Sequence, residues 1–187
     1  MNNGWTGVVL AGGKSSRMGK DKALIEINGR TLLDHALDKL QARVSDLLVI
    51  GDPQKYGHVG PFVIADEAPD QGPLIGLITA MRYASNDRLL VLACDMPNVT
   101  DRLLERLQRE LGNFTDAVVP KHRDRIEPLC AAYHRRCERH FREMWRNGDL
   151  KVQNALRGLR IHELELEPGS DGWPIDLFSN VNRPEDL

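Results

Sequence analysis

The sequence predicts an α/β protein of three layers, with a mainly parallel central sheet and an antiparallel hairpin in its second half. Three observations carry this. Short, continuously apolar runs recur ("GVVLA", "DLLVIG", "RLLVLAC"), as strands buried on both faces require. Amphipathic helical patterns alternate with these runs up to residue 111, which is the signature of a sheet covered on both sides. Beyond that point two apolar runs, "DAVVP" and "EPLCAAYH", flank the polar turn "KHRDR" and read as one hairpin.

Each element follows from its residues. "GVVLA" is the first strand, and "ALIEI" is a short extended segment before the turn signal Asn28-Gly29. "TLLDHALDKLQARV" places Leu33, Leu37 and Leu40 on one helical stripe, with Thr31 as N-cap. "DLLVIG" and "FVIA" are the second and third strands. "GPLIGLITAMRYA" is helical from about Leu74, "RLLVLAC" is a strand, and "TDRLLERLQREL" is a helix capped by Thr100 or Asp101. After the hairpin, a helix runs from about His134 to Arg146, "KVQNALRGL" is a shorter helix and "RIHELEL" a strand. No repeat, low-complexity tract or linker divides the chain, so residues 1–187 read as one Rossmann-like domain.

Composition narrows the function classes. The 187 residues are 41% hydrophobic and 28% charged, and the formal net charge is -2. That balance gives no bulk electrostatic case for nucleic acid or a membrane, so anion binding must be local. No segment approaches the about eighteen apolar residues of a membrane span, and "MNNGWTGVVLAGG" has no signal-peptide pattern. Cys94, Cys130 and Cys137 form no CxxC pair, as expected of reduced thiols in a cytoplasmic protein.

The local anion site comes directly after the first strand. "VVLAGGKSSRMGKDKAL" spends two adjacent glycines, then brings Lys14, Arg17, Lys20 and Lys22 within nine residues of Gly13. Ligands of open parallel sheets lie beyond the carboxyl ends of the strands. There, Gly12 and Gly13 let backbone N–H groups converge on an anion, Arg17 offers a bidentate fork and Lys22 a point charge. A Walker loop would need glycine where Val8 stands, and G-x-G-x-x-G fails because the two glycines are adjacent. The spacing therefore predicts a polyphosphate site of another type. "LLVLACDMP" places Asp95 at a second strand end, with Pro97 stopping the chain beyond it. A carboxylate so placed is a hard oxygen ligand suited to Mg²⁺.

These stretches carry a resemblance. "LAGGKSSRMGKDKAL" is similar to the L-A-G-G-x-S-x-R-M-G-x-D-K signature of nucleotidyltransferases acting on nucleoside triphosphates. Within that group the chain resembles the molybdenum cofactor guanylyltransferases. The likeness recurs in the family's order at "NGRTLLDHAL", "DQGPLIG", "CDMP", "RIEPLCAAYH" and "FSNVNRPEDL". It implies Mg²⁺-dependent transfer of GMP from GTP to the phosphate of molybdopterin, or of its molybdenum-loaded form, with release of pyrophosphate. It also implies roles: Arg17, Lys22 and Asp95 in catalysis, Asp95 as metal ligand, and Leu10, Ala11, Gly12, Gly13, Lys22, Asp66 and Asp95 around the nucleotide. Gly76, Asn180 and Asn182 are the substrate contacts it suggests. Read from the residues alone, Asp66 is equally a strand-end Asp in a loop, and Asn182 a helix N-cap.

Neighbouring functions stay open. "VIGDP" lacks the Asn that some guanylyltransferases of the family carry at that strand end, so CMP transfer or transfer to a sugar phosphate are alternatives. So is a non-catalytic, nucleotide-binding partner of molybdoenzymes. The partners implied are GTP and molybdopterin as substrates, with molybdoenzymes or other proteins of cofactor biosynthesis beside them; a monomer is expected. Cys130, His134, Cys137 and His140 would form one stripe on a continuous helix, but the strand through Cys130 breaks it and zinc is not expected. Trp145 and Trp173 are read as packing residues.

Overall fold

The computed structural model describes residues 4–12 and 21–181. Strand β1 (Trp5–Leu10) lies centrally and is buried along its whole length. After it come a 3₁₀ turn (Lys22–Leu24) and the two-residue strands β2 (Glu26–Ile27) and β3 (Arg30–Thr31). Asn28 (φ 52°) and Gly29 (φ 76°) form the tight turn between these two strands, as their left-handed preference allows. Helix α1 (Leu32–Gln41) opens on a reciprocal cap: the Thr31 hydroxyl accepts from the Asp34 N–H, and the Asp34 carboxylate accepts from the Thr31 N–H. Then follow β4 (Asp46–Ile50), α2 (Pro53–Tyr56), β5 (Phe62–Ile64), α3 (Pro73–Tyr83) and β6 (Arg88–Ala93). The second half holds α4 (Asp101–Glu110), β7 (Ala117–His122), β8 (Arg125–Ile126), β9 (Cys130–His134), α5 (Cys137–Arg146), α6 (Val152–Leu156) and β10 (Ile161–Glu165).

The strand order is β10-β7-β9-β6-β1-β4-β5, with β8 pairing on β7. Strands β6, β1, β4 and β5 run parallel, and so do β7 and β10. Strand β9 is antiparallel to both β6 and β7 and joins the two parallel blocks. Period-two alternation divides the side chains between two cores. Val9, Leu90 and Leu92 face α1 and α4, whereas Val8, Leu10, Leu89 and Val91 face α3, α5 and α6. This is the expected three-layer arrangement.

The second half differs from the sequence reading in detail. The polar stretch is partly strand: β7 continues through Lys121 and His122, and β8 turns back on it beyond Arg123 (φ 53°). Strand β9 then pairs with the start of β7, Ala117 opposite Tyr133, and inserts beside β6. The following helix begins at Cys137 and not at His134, because His134 is still in the sheet, its N–H donating to the Asp116 carbonyl at 2.8 Å. The stripe of Cys130, His134, Cys137 and His140 is accordingly broken. His134 and His140 bond the carbonyls of Gly112 and Ala155, and no metal-holding cluster of His, Cys, Asp or Glu exists among the described residues. Nor is any of the described helices long and apolar enough to cross a membrane.

Asp116 ties this half together. Its buried carboxylate accepts from Arg160 (backbone N at 2.9 Å, Nε at 3.0 Å, Nη2 at 2.9 Å) and from Arg136 Nε at 2.6 Å. Arg160 first and Arg136 second hold the carboxyl well below the ordinary range. A depressed carboxyl stabilises the fold above its unfolded pKa, near 3.9, and that contribution is lost as the pH falls below it. Asp116→Asn is expected to cost about 2 kcal/mol at pH 7, roughly 4–8 °C in Tm for a chain of this size. The gap from the parent should close as denaturation is repeated from pH 4 down to pH 2.

Candidate active site

The carboxyl ends of β1, β4 and β6 open onto a cleft of about 640 Å³. Leu10, Ala11 and Gly12 form its floor where β1 leaves the sheet, and the Ala11 N–H donates to the Ile50 carbonyl at 2.9 Å. The start of α3 forms the opposite wall through Gly72, Pro73 and Gly76. Gly72 takes φ 97°, a conformation that suits glycine, and Pro73 occupies the first turn, where its missing N–H costs nothing.

Asp66 lies between these walls. A Cβ added at Gly12 would sit 3.7 Å from Asp66 Oδ2, and one at Gly76 would sit 3.6 Å from Oδ1. The Thr79 hydroxyl donates to Oδ1 at 3.3 Å while accepting from the Glu67 N–H at 3.1 Å, which fixes the carboxylate in place. Burial pushes the Asp66 carboxyl up, and the Thr79 bond opposes this. It lines the cleft two residues beyond β5.

Asp95 follows β6 by two residues. The Cys94 N–H donates to the Leu10 carbonyl at 3.2 Å, so this strand end is fastened to the floor of the cleft. Lys22 Nζ stands 3.7 Å from Asp95 Oδ2, both side chains being partly exposed. Burial pushes the Asp95 carboxyl up, with the Lys22 ammonium acting against it. The Val181 N–H donates to the Asp95 carbonyl at 2.9 Å, and this brings Asn180 to the same region. A second cavity of about 430 Å³ shares Pro73, Ala93, Asp95, Leu129 and Leu150 with the first and extends over Lys151 and Asn180. Asp95 thus stands where two cavities meet.

The structure brings together Leu10, Ala11, Gly12, Lys22, Asp66, Gly76 and Asp95, with Asn180 in the adjoining cavity. Gly13, Arg17 and Asn182 lie outside the described residues. Two groups escaped sequence reasoning. Gln71 lines the cleft, its amide oxygen accepting from the Trp145 indole N–H at 2.8 Å; only its place inside "DQGPLIG" hinted at it. Leu129, which walls both cavities, was hinted at only by its place inside "RIEPLCAAYH", and Lys151, which walls the second, carries no local signal. Trp173 is a packing residue as expected, with the Arg102 guanidinium 4.1 Å over its ring.

As a metal centre, Asp95 supplies one hard carboxylate and no soft ligand. Mg²⁺ is commonly held by one or two carboxylates, with waters and substrate phosphates completing its octahedron. The donor set fits that ion.

A doubly wound sheet whose glycine-bearing strand end faces a lysine and a carboxylate is an arrangement suited to a nucleotidyltransferase. Residues 7–164 match the MobA-like NTP transferase domain, and the chain belongs to that family. It is 30% identical to a probable molybdenum cofactor guanylyltransferase of Geobacillus sp. (strain WCH70), over 99% of this chain and 97% of that protein. It is 37% identical to the protein of the same description from Bacillus cereus (strain G9842), over 97% and 93%. Among solved structures, the molybdopterin-guanine dinucleotide biosynthesis protein A of Archaeoglobus fulgidus superposes with a TM-score of 0.77 at 25% identity, covering 97% of this chain and 94% of that one.

Proposed function

We propose that the chain, acting as one domain over residues 1–187, transfers GMP from GTP to the terminal phosphate of molybdopterin or its molybdenum-loaded form. The observation that carries this reading is the meeting of two cavities at Asp95. One has the glycine floor and lysine suited to a nucleoside triphosphate. The other has apolar walls (Met96, Leu129, Val152) and polar groups (Lys151, Asn180) suited to a ring system bearing a phosphate.

In the reaction, an oxygen of the acceptor phosphate attacks the α-phosphorus, the bond from that phosphorus to the β-phosphate oxygen breaks, and pyrophosphate leaves with the electron pair. Positioning and charge neutralisation carry most of such a step. The Gly12 end of β1 lets backbone approach the phosphates, and Lys22 places its positive charge on the polyphosphate. Asp66 holds the nucleoside side of the cleft. Asp95 is the residue that would hold Mg²⁺, which when bound neutralises charge on the phosphoryl oxygens. Arg17, Gly13 and Asn182 enter as contacts implied by the family signature, with Gly76 and Asn180 facing the substrates.

Thermal unfolding with GTP, CTP, ATP and UTP, each with and without Mg²⁺, tests the assignment. A ligand at a hundred times its Kd adds about 2.7 kcal/mol, roughly 5–10 °C here. A Mg²⁺-dependent rise with GTP alone is expected. A rise specific to CTP would make the protein a cytidylyltransferase, and binding without pyrophosphate release would make it a nucleotide-binding partner instead.

A further inference from the structure

We propose that Tyr56 is a positioning residue for this reaction, acting through Asp21 to set Lys22 opposite Asp95 and through Ala11 to set the strand end that leads into Gly12. The inference rests on the guanylyl-transfer reading above. Tyr56 is the last residue of α2, is 2% exposed, and does not itself line the cleft. Its hydroxyl lies 2.7 Å from Asp21 Oδ2 and 3.2 Å from the Ala11 carbonyl oxygen. One proton serves two acceptors, and the shorter, charge-assisted bond to the carboxylate is the stronger.

The remaining bonds of Asp21 point the same way. Its Oδ1 accepts from the Ala23 N–H at 3.2 Å and caps the 3₁₀ turn that begins at Lys22, while Lys55 Nζ lies 3.1 Å from Oδ2. The backbone on both sides of Lys22 is thus held by one carboxylate, and that carboxylate is held from below by Tyr56. The ring has a prepared seat. A Cβ at Gly51 would lie 2.6 Å from Tyr56 Cε2, so glycine at the end of β4 is what admits the ring there. Helix α2 is fixed in turn by Pro53 in its first turn and by Asp52, whose carboxylate accepts from the Gln54 N–H at 2.9 Å. A buried tyrosine requires a partner for its hydroxyl. The α/β layering does not require that partner to be the acid adjoining Lys22.

Tyr56→Phe keeps the ring and removes the hydroxyl. Its test is titration of the purified protein with Mg²⁺–GTP and with Mg²⁺–pyrophosphate, alongside Tm, KM and kcat. Expected are a Tm within about 4 °C of the parent, about tenfold weaker binding of both ligands, and about tenfold lower kcat/KM for GTP. Asp21→Asn should do the same, and the double variant should be no worse than the poorer single, because the two act through one bond. Should Tyr56→Phe fold poorly, Asp21→Asn carries the test, since it leaves the ring seated. A purely structural role would lower Tm while the folded fraction bound both ligands as the parent does. Parental affinity for both ligands in Tyr56→Phe, or in Asp21→Asn where that variant stands in, overturns the inference and leaves the function intact. A parent protein that binds neither GTP nor pyrophosphate overturns both.

Discussion

Asp95→Asn is expected to abolish guanylyl transfer, lowering kcat by about 10³-fold or more, while Tm holds or rises. The two halves of this result have one cause. Asp95 sits at the junction of the two cavities, and burial pushes its carboxyl up from its ordinary value, against the Lys22 ammonium. A carboxyl whose folded pKa is raised costs stability once the pH exceeds its unfolded value, because the folded state must hold the charge in poorer solvation. Removing the charge relieves that cost and at the same time removes the proposed ligand for Mg²⁺. Pyrophosphate release with GTP and the pterin acceptor, read beside a melting curve, checks both halves. Near-parental turnover would remove Asp95 from the metal site.

Lys22→Ala carries the second large effect. Its ammonium stands 3.7 Å from Asp95 and faces the cleft where the polyphosphate is proposed to lie. Loss of a fixed charge aimed at developing negative charge costs about 10²–10³-fold in kcat/KM. Lys22→Arg should recover little of this, since a planar fork does not replace a compact charge at the same distance. Steady-state kinetics across GTP concentrations checks it. A loss confined to KM would mean that Lys22 binds the ground state and the transition state equally.

Much of this was legible in the residues because the relevant signals are local. The continuous apolar runs at β1, β4 and β6 could only be strands covered on both faces. A glycine or a carboxylate immediately after such a run must then lie at the ligand-bearing edge. Gly12 and Asp95 were read in this way and Lys22 from the cluster of cations after the glycines, whereas Leu10 and Ala11 came only with the family resemblance. What stayed hidden depends on pairing across long separations. The apolar run of β9 fits beside many neighbours, so its insertion between β6 and β7 could not be read from its own residues. The hydroxyl of Tyr56 meets Asp21 across 35 positions, and the walls at Leu129 and Lys151 come from connecting segments. The short helix α2 gave only a cap and a proline, with nothing to mark its last residue.

The insertion of β9 has a consequence for the order in which the molecule assembles. Among the described residues it is the one strand bridging the parallel block β6-β1-β4-β5 to the block β7-β10. The first block uses strands contiguous along the chain, from Trp5 to Ala93, and carries the glycine floor, Asp66 and Asp95. It can condense with modest loop-closure entropy. The second block has no sheet to join until β9 has docked on β6, and the residue just before β9, Leu129, walls both cavities. Leu129 and Leu150 line both cavities, so both are complete only after that docking, but the second takes more of its wall from this half, through Ile126, Glu127, Pro128, Lys151 and Val152. A transient opening of the β7–β10 block would therefore strip more of the wall of the second cavity than of the first cleft.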